Sequence, residues 1–395
     1  LEVATHRLWQ KTGPVGKLHN IVTWINRSDT LAQAFLKLQK DYSESNPSKR
    51  IKVLHLVSDN ATRWLSQFYM IERALKLRNF IEDLWDNQAK AYCRSHRSKK
   101  DIPLCLQPDS KLTDSGWSML QELQKLLYNF NVVLLILQGD SVLRDRVDGC
   151  LKAYGLIWQV IPAFEFLLDK LEKAKKEEVE NSYRIQWQAA VNCAWDRLDK
   201  YYQLLDDCPA YYAAVALHPR YRWRYFETKW STRESWITGT RAAVQRLWDS
   251  DYKKRPVSNH LTTFRPLQLK VSFVSPFDQY SDTVSPPLMP DFDEPKDLPD
   301  DEYERWHLST ATDIDVEDPL EYWYNKKSEY PRLCQMAVDI LSIPPMSAEC
   351  ERLFSSSGLM VTPLRSRLET TTIGLAQTVR SWLKAGVIHD SVMDV

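Results

Sequence analysis

Apolar residues recur along most of this chain at steps of three and four, the spacing that gathers them on one face of an α-helix. Leu120, Leu123, Leu126, Leu127, Phe130, Leu134 and Leu137 form the longest such series. Trp158, Ile161, Phe164, Leu167, Leu168 and Leu171 predict a second helix, running into a charged, solvent-facing end at residues 173–178. Trp187, Val191, Trp195, Leu198, Tyr202 and Leu205 predict a third. Met70, Leu75, Leu77, Phe80, Ile81 and Leu84 mark another, and residues 1–40 read as helical through Trp9, Val22, Ile25, Phe35 and Leu38. Towards the C-terminus, Pro331 suits a helix first turn, with Leu333, Met336, Ala337 and Ile340 facing one way before Pro344 and Pro345 stop it. Ser347 reads as the N-cap of the next helix and Gly358 as its end. Thr370 or Thr371 opens the last helix, with Leu375, Val379, Trp382 and Leu383 as its apolar face and Gly386 beyond it.

One segment breaks the pattern. After the Asn46-Pro47-Ser48 interruption, Ile51, Val53 and Val57 alternate with Lys52 and His55, although Leu54 and Leu56 make both faces apolar. This predicts a strand. A strand needs a ladder partner for its backbone groups, and few other segments offer one, so part of a sheet is expected to be missing. The expected fold is mainly α, with a lone strand near 51–57.

Composition narrows the picture. Among 395 residues, Lys+Arg and Asp+Glu balance at 52 each, so net charge points to no partner and a nucleic-acid surface has to be a local patch. Gly numbers only 10, which disfavours a turn-rich all-β fold, and Trp numbers 15, supplying large anchors for helix packing. The cysteines are scattered without CxxC spacing. Cys93, His96 and Cys105 hint at metal ligands but lack a fourth, so reduced structural thiols are expected. No apolar run approaches the roughly 20 residues of a membrane helix. No secretory signal opens the chain, and its start at Leu1 suggests a fragment or processed piece. Residues 256–318 differ in kind: rich in Pro, Asp and Glu, they read as a partly disordered acidic linker.

The segment Ile343-Pro344-Pro345-Met346-Ser347-Ala348-Glu349-Cys350-Glu351-Arg352-Leu353-Phe354-Ser355-Ser356-Ser357-Gly358 resembles the signature of the C-terminal dimerisation region of hAT transposases, the family of hobo, Ac and Tam-like elements. Asp59-Asn60-Ala61-Thr62-Arg63-Trp64 with Tyr69 to Leu75 is similar to the family's Thr-Arg-Trp segment. Residues 112–117 and 213–221 are similar to the opening and a late part of its helical insertion, and 319–323 with Tyr330-Pro331 complete the dimerisation region.

The resemblance implies a remnant of an RNase H-like core at 1–64, a helical insertion domain at 65–255, the linker at 256–318 and the dimerisation region at 319–388. In such enzymes three carboxylates hold two divalent ions, Mg²⁺ in the parent family, for in-line phosphoryl displacement. Glu351 matches the last of the three. The first two aspartates belong upstream of the Thr-Arg-Trp segment. Asp59 occupies a different family position, and Asp29 and Asp41 fit no strand end. This chain is therefore expected to retain no metal and to lack transposase activity alone, with Glu351 a relic.

The same resemblance implies DNA contact by Arg63 and Trp64, against which stand a salt bridge or cap and core packing. Arg220 and Arg224, interleaved with Tyr221 and Tyr225, are expected to share a helix face that meets phosphates, although inward-packed aromatics with solvated arginines is the favoured reading. The basic loop Ser95 to Lys100 is a weaker candidate. Dimerisation is expected through Leu333, Met336, Leu353, Phe354, Leu375, Val379, Trp382 and Leu383. The resulting expectation is a truncated, nuclear, hAT-derived protein that forms a homodimer and has possible DNA binding. The alternatives are a piece of an active transposase whose core and zinc finger lie upstream, and a host-recruited DNA-binding or interaction module.

Overall fold

The computed structural model describes residues 12–60, 65–95, 103–138, 144–146, 156–176, 183–257, 269–271, 275–283, 299–308, 316, 318–361 and 368–384. The fold is mainly α-helical. In chain order the helices are α1 (Pro14–Asn26), α2 (Asp29–Ser45), α3 (Ser66–Lys76), α4 (Arg78–Ser95), α5 (Asp114–Leu137), α6 (Val160–Lys176), α7 (Arg184–Gln203), α8 (Ala210–Ala216), α9 (Arg222–Lys229), α10 (Glu234–Leu247), α11 (Pro276–Thr283), α12 (Glu302–Leu308), α13 (Pro319–Asn325), α14 (Pro331–Leu341), α15 (Ala348–Met360) and α16 (Thr370–Lys384). Two short strands, β1 (Arg144–Arg146) and β2 (Leu269–Val271), pair antiparallel with Asp145 opposite Lys270.

The chain divides into two compact units. The first comprises Leu1–Asn131 and Leu167–Asp199, the second Val132–Phe166 and Lys200–Val395. The sequence boundaries at 64 and 255 do not coincide with these divisions. In the first unit, Leu18, Ile21, Val22 and Ile25 of α1 pack with Phe35, Met70, Ile71, Ala74, Leu77, Trp117 and Leu120. A smaller cluster joins Met119, Leu171, Trp187 and Val191. The starts of these helices follow local chemistry. Pro14 occupies the first turn of α1, and the Ser28 side chain accepts from the Leu31 amide to cap α2, with Asp29 favourably placed in its first turn.

Residues 51–57 do not form the expected strand. They are extended but belong to no ladder. Side chains of flanking helices take the ladder's place. Gln39, fully buried on α2, accepts from the Leu54 amide at 2.9 Å and donates to its carbonyl at 3.0 Å. The Ser43 hydroxyl brackets Ile51 in the same way, at 3.3 and 3.4 Å. Asn26 and Arg73 donate to the carbonyls of Leu56 and His55. Backbone groups need partners but not β partners, and three helices, α1 to α3, with polar residues at the right turns supply them.

The second unit is built around aromatics. Trp323 is fully buried and its indole donates to the Leu217 carbonyl at 2.7 Å. Trp306 lies 4.6 Å from it, centroid to centroid. Part of the stretch read as a linker belongs to this core. Phe277 of α11 packs edge-on against Phe166. Asp301 caps α12 by accepting from the amides of Tyr303 and Glu304, and also accepts from Trp248 and Lys253. Partial burial pushes its carboxyl up, but Lys253, the Glu304 amide and Trp248 outweigh this and hold it below its ordinary value. Buried Glu302 accepts from the amides of Arg332 and Leu333, both at 2.8 Å. These acidic residues act as fixed caps rather than solvated linker charges.

Candidate functional site

The signature segment folds into α15, preceded by Ser347 at the N-cap position, though the serine hydroxyl makes no capping bond. Gly358 does not end this helix, which continues to Met360. Helix α16 opens at Thr370 as expected. The two helices meet through a polar clasp. Buried Gln377 donates to the Ser356 hydroxyl at 3.0 Å and to the Met360 sulfur at 3.2 Å, and Arg380 donates to Ser356. A buried polar clasp fixes the pairing of the helices, because leaving any member unpaired is costly.

The clasp turns large apolar residues outward. Phe354 is 74% exposed, Leu359 81% and Leu375 69%, with Leu353 and Trp382 about half exposed. On α16, Thr371, Gly374, Leu375, Thr378 and Trp382 are all exposed. Their spacing of i, i+3, i+4, i+7 and i+11 forms one stripe. On α15, Glu351, Phe354, Ser355 and Gly358 are exposed at i, i+3, i+4 and i+7. A cluster of large apolar side chains held in water marks an interaction surface.

Two residues expected on this face are elsewhere. Leu333 and Met336 lie on α14 and are fully buried in the second unit's core, because the apolar face of α14 packs against its own chain. Val379 and Leu383 are half-buried at the edge of α16. Leu359 was missed because Gly358 was read as a helix end.

Glu351 is exposed on α15. Among the described residues, no group of three or more His, Cys, Asp or Glu side chains is placed to hold a metal ion. Asp59 instead pairs with His19 at 2.5 Å, Asp29 sits in the first turn of α2, and Asp41 is exposed. Cys105 is buried, which pushes its thiol up, while Cys93 is exposed. His96 lies outside the described residues.

Arg63 and Trp64 lie outside the described residues, as do His96 to Lys100 of the basic loop. Arg220 and Arg224 do not share a helix face, since α9 begins only at Arg222. Tyr221, Trp223, Tyr225 and Phe226 all pack inward. Arg222 is buried with them. Its guanidinium lies 4.0 Å from the Trp306 ring centroid and donates to the Trp306 carbonyl. Its φ of 54° is a conformation that a non-glycine residue holds only when its surroundings over-determine it. Arg220 and Arg224 are each half-buried and engaged in further contacts. The segment is structural, an aromatic knot around a buried arginine.

A family model described as the hAT family C-terminal dimerisation region matches residues 292–383. A second, described as the ZBED1 RNase-like helical domain, matches residues 2–104. These matches support a hAT-family, transposase-like protein. It is 24% identical over 360 residues to a putative transcriptional regulator, tpeD, of Talaromyces stipitatus, an alignment covering 90% of this chain and 34% of that protein. It is 34% identical over 68 residues to the putative AC and AC9 transposases of Zea mays, covering 17% of this chain and 8% of each relative. The hAT-like chain thus spans about a third or less of the length of these curated relatives. The dimerisation match spans residues 292–383, so it takes in α12, the α12 cap Asp301 and the α14 cap Glu302, as well as α13 to α15 and all but the last residue of α16. Neither matched region is described as catalytic.

Proposed function

We propose that this chain is a transposase-derived self-association module. In this reading it forms a homodimer through the outward faces of α15 and α16. The observation that carries the reading is the exposure of Phe354, Leu359, Leu375 and Trp382 on adjacent helices, within the stretch matched to a dimerisation region. A two-fold dimer places the same stripe on both copies, and burying such side chains in a common face is favourable by about 1.5–3 kcal/mol each. Because the four are already in water, replacing them with Asp leaves the monomer's core intact. Sedimentation equilibrium at micromolar concentration tests this. The wild-type chain is expected to be dimeric, and Phe354→Asp with Trp382→Asp monomeric at an unchanged melting temperature. A monomeric wild type, or a dimeric double variant, refutes it.

The same reading holds that this chain performs no strand cleavage by itself and retains no Mg²⁺, since Glu351 stands without carboxylate partners among the described residues. The opposing reading, a piece of an active transposase completed by upstream sequence, predicts Mg²⁺-dependent cleavage that Glu351→Ala abolishes. A further reading, a nuclear regulator that acts on DNA, is favoured by the likeness over 360 residues to the putative transcriptional regulator. It predicts salt-sensitive binding to duplex DNA.

A further inference from the structure

A glycine lies inside each of the two clasped helices, Gly358 in α15 and Gly374 in α16, and both are exposed. Within a helix, glycine is destabilising relative to alanine because it gives up more backbone freedom on folding. The chain's own fold gives neither residue a reason to be glycine. Neither holds a left-handed φ, and a Cβ placed on either meets no atom within 4 Å. Gly116 shows the contrast: a Cβ there meets the Leu112 side chain at 3.4 Å, so that glycine serves the packing of its own chain.

Openness alone does not single out a glycine. Gly239 of α10 is equally open, but its exposed neighbours one turn away are Ser235, Ala242 and Trp236. That tryptophan is already covered by Arg233, 4.1 Å from its ring centroid, and meets Trp230 edge-on at 5.7 Å. The surroundings of Gly358 and Gly374 are different. A helical side chain leans over the turn N-terminal to its own Cα, so any side chain at 358 would crowd the turn that carries Phe354, itself 74% exposed. Gly374 shares the outward stripe of α16 with Leu375 and Trp382. Each glycine is thus a notch of bare backbone beside large apolar side chains that stand in water.

We infer that Gly358 and Gly374 are the points at which a second copy of this chain packs directly onto the helix backbone. The inference rests on the self-association reading above and names the residues that let two such surfaces close. A two-fold contact gives each copy both the notches and the large side chains that enter them, and the centre of an interface packs as densely as a protein interior. The occupant is a second copy because both notches and their apolar neighbours lie in the stretch matched to a dimerisation region, residues 292–383. Gly239 lies outside that stretch.

Sedimentation equilibrium of the full chain tests this with Gly358→Ala, Gly374→Ala and, for comparison, Gly239→Ala. One added methyl group overpacks a close contact, so the dissociation constant of the dimer is expected to rise about 5-fold or more for each of the first two. Gly239→Ala is expected to keep the wild-type value. Stability is read separately in the Phe354→Asp/Trp382→Asp monomer. There each alanine is expected to hold or raise the melting temperature, because it improves the helix and meets only open space. Unchanged or tighter assembly of Gly358→Ala or Gly374→Ala, or equal weakening by Gly239→Ala, overturns the inference while a dimeric wild type keeps the self-association reading. A lowered melting temperature of the monomer assigns the glycines to the chain's own fold and also overturns it. A monomeric wild type overturns both.

Discussion

Glu302 is the most exacting test of the second unit's architecture. Helix α14 has no capping side chain of its own: Tyr330 occupies the N-cap position without a side-chain bond, and Pro331 follows. The free amides of Arg332 and Leu333 are met by Glu302, 30 residues earlier in the chain for the first of them, at 2.8 Å each. The carboxylate is only 7% exposed, and the Arg332 guanidinium lies 3.6 Å from its other oxygen. Hydrogen bonds to a charged acceptor contribute about 1.5–3 kcal/mol each, and a buried amide left unpaired costs about 1–3 kcal/mol. The carboxylate's own desolvation offsets part of this. Glu302→Ala is therefore expected to cost about 3–4 kcal/mol. Glu302→Gln keeps an acceptor oxygen but loses the charge that complements the helix N-terminus, and is expected to cost about 1–2 kcal/mol. Urea unfolding followed by tryptophan emission measures both, with separate transitions allowed for the two units. An alanine variant within about 0.5 kcal/mol of wild type, or a glutamine variant as damaged as the alanine, refutes the capping argument.

Gln39→Leu removes both bonds to Leu54 while keeping apolar bulk, and buried groups stripped of partners cost about 1–3 kcal/mol each. A loss of about 2–4 kcal/mol is expected in the first unit's unfolding transition, and a loss below about 1 kcal/mol refutes the substitute-ladder account. His218 predicts a pH dependence. Burial, then the neighbouring Arg220, lowers its pKa from the ordinary 6.5 to about 3. Between those values the unfolded chain binds a proton that the folded chain refuses. Stability is therefore full above pH 6.5 and falls by up to about 1.4 kcal/mol per pH unit as pH drops towards 3. Unfolding at pH 6.5, 5.5 and 4.5 is expected to show a steeper slope in wild type than in His218→Gln, and equal slopes refute it.

Helix content was legible in the sequence because amphipathic spacing is a local property. Trp187, Val191 and Trp195 lie on α7, and Pro331 opens α14, as their spacing and chemistry require. The extended segment misled because alternation records which faces are apolar, not what meets the backbone. The partners of Leu54 and Ile51 are polar side chains on α2, one of them 15 residues away, and neither Gln39 nor Ser43 stands out as a sequence feature. The acidic stretch misled in the same way. Asp301 and Glu302 resemble their solvated neighbours until the fold brings helix ends to them. At the candidate site the motif located the region but not the face. Leu333 and Phe354 are both apolar residues on helices of the matched region, yet one is in the core and the other in water. Only the tertiary contacts of α14 distinguish them.

The stripe on α15 bears on what the signature segment means. Glu351, the match to the family's last catalytic carboxylate, shares an exposed face with Phe354 and Gly358. In the proposed reading, the relic carboxylate and the self-association stripe therefore lie on the same helix. The inner face of that helix is committed to the Ser356–Gln377 clasp and the outer face to apolar residues that gain nothing from solvent. A chain that had lost metal-dependent chemistry would still need most of these residues to keep α15 paired with α16 and to present Phe354 and Leu359 to a second copy. A long match to the signature is thus the expected remainder of an association helix, and by itself carries no argument for a working active site. The argument turns on Phe354 rather than Glu351: it requires that assembly be lost with the aromatic ring and survive the loss of the carboxylate.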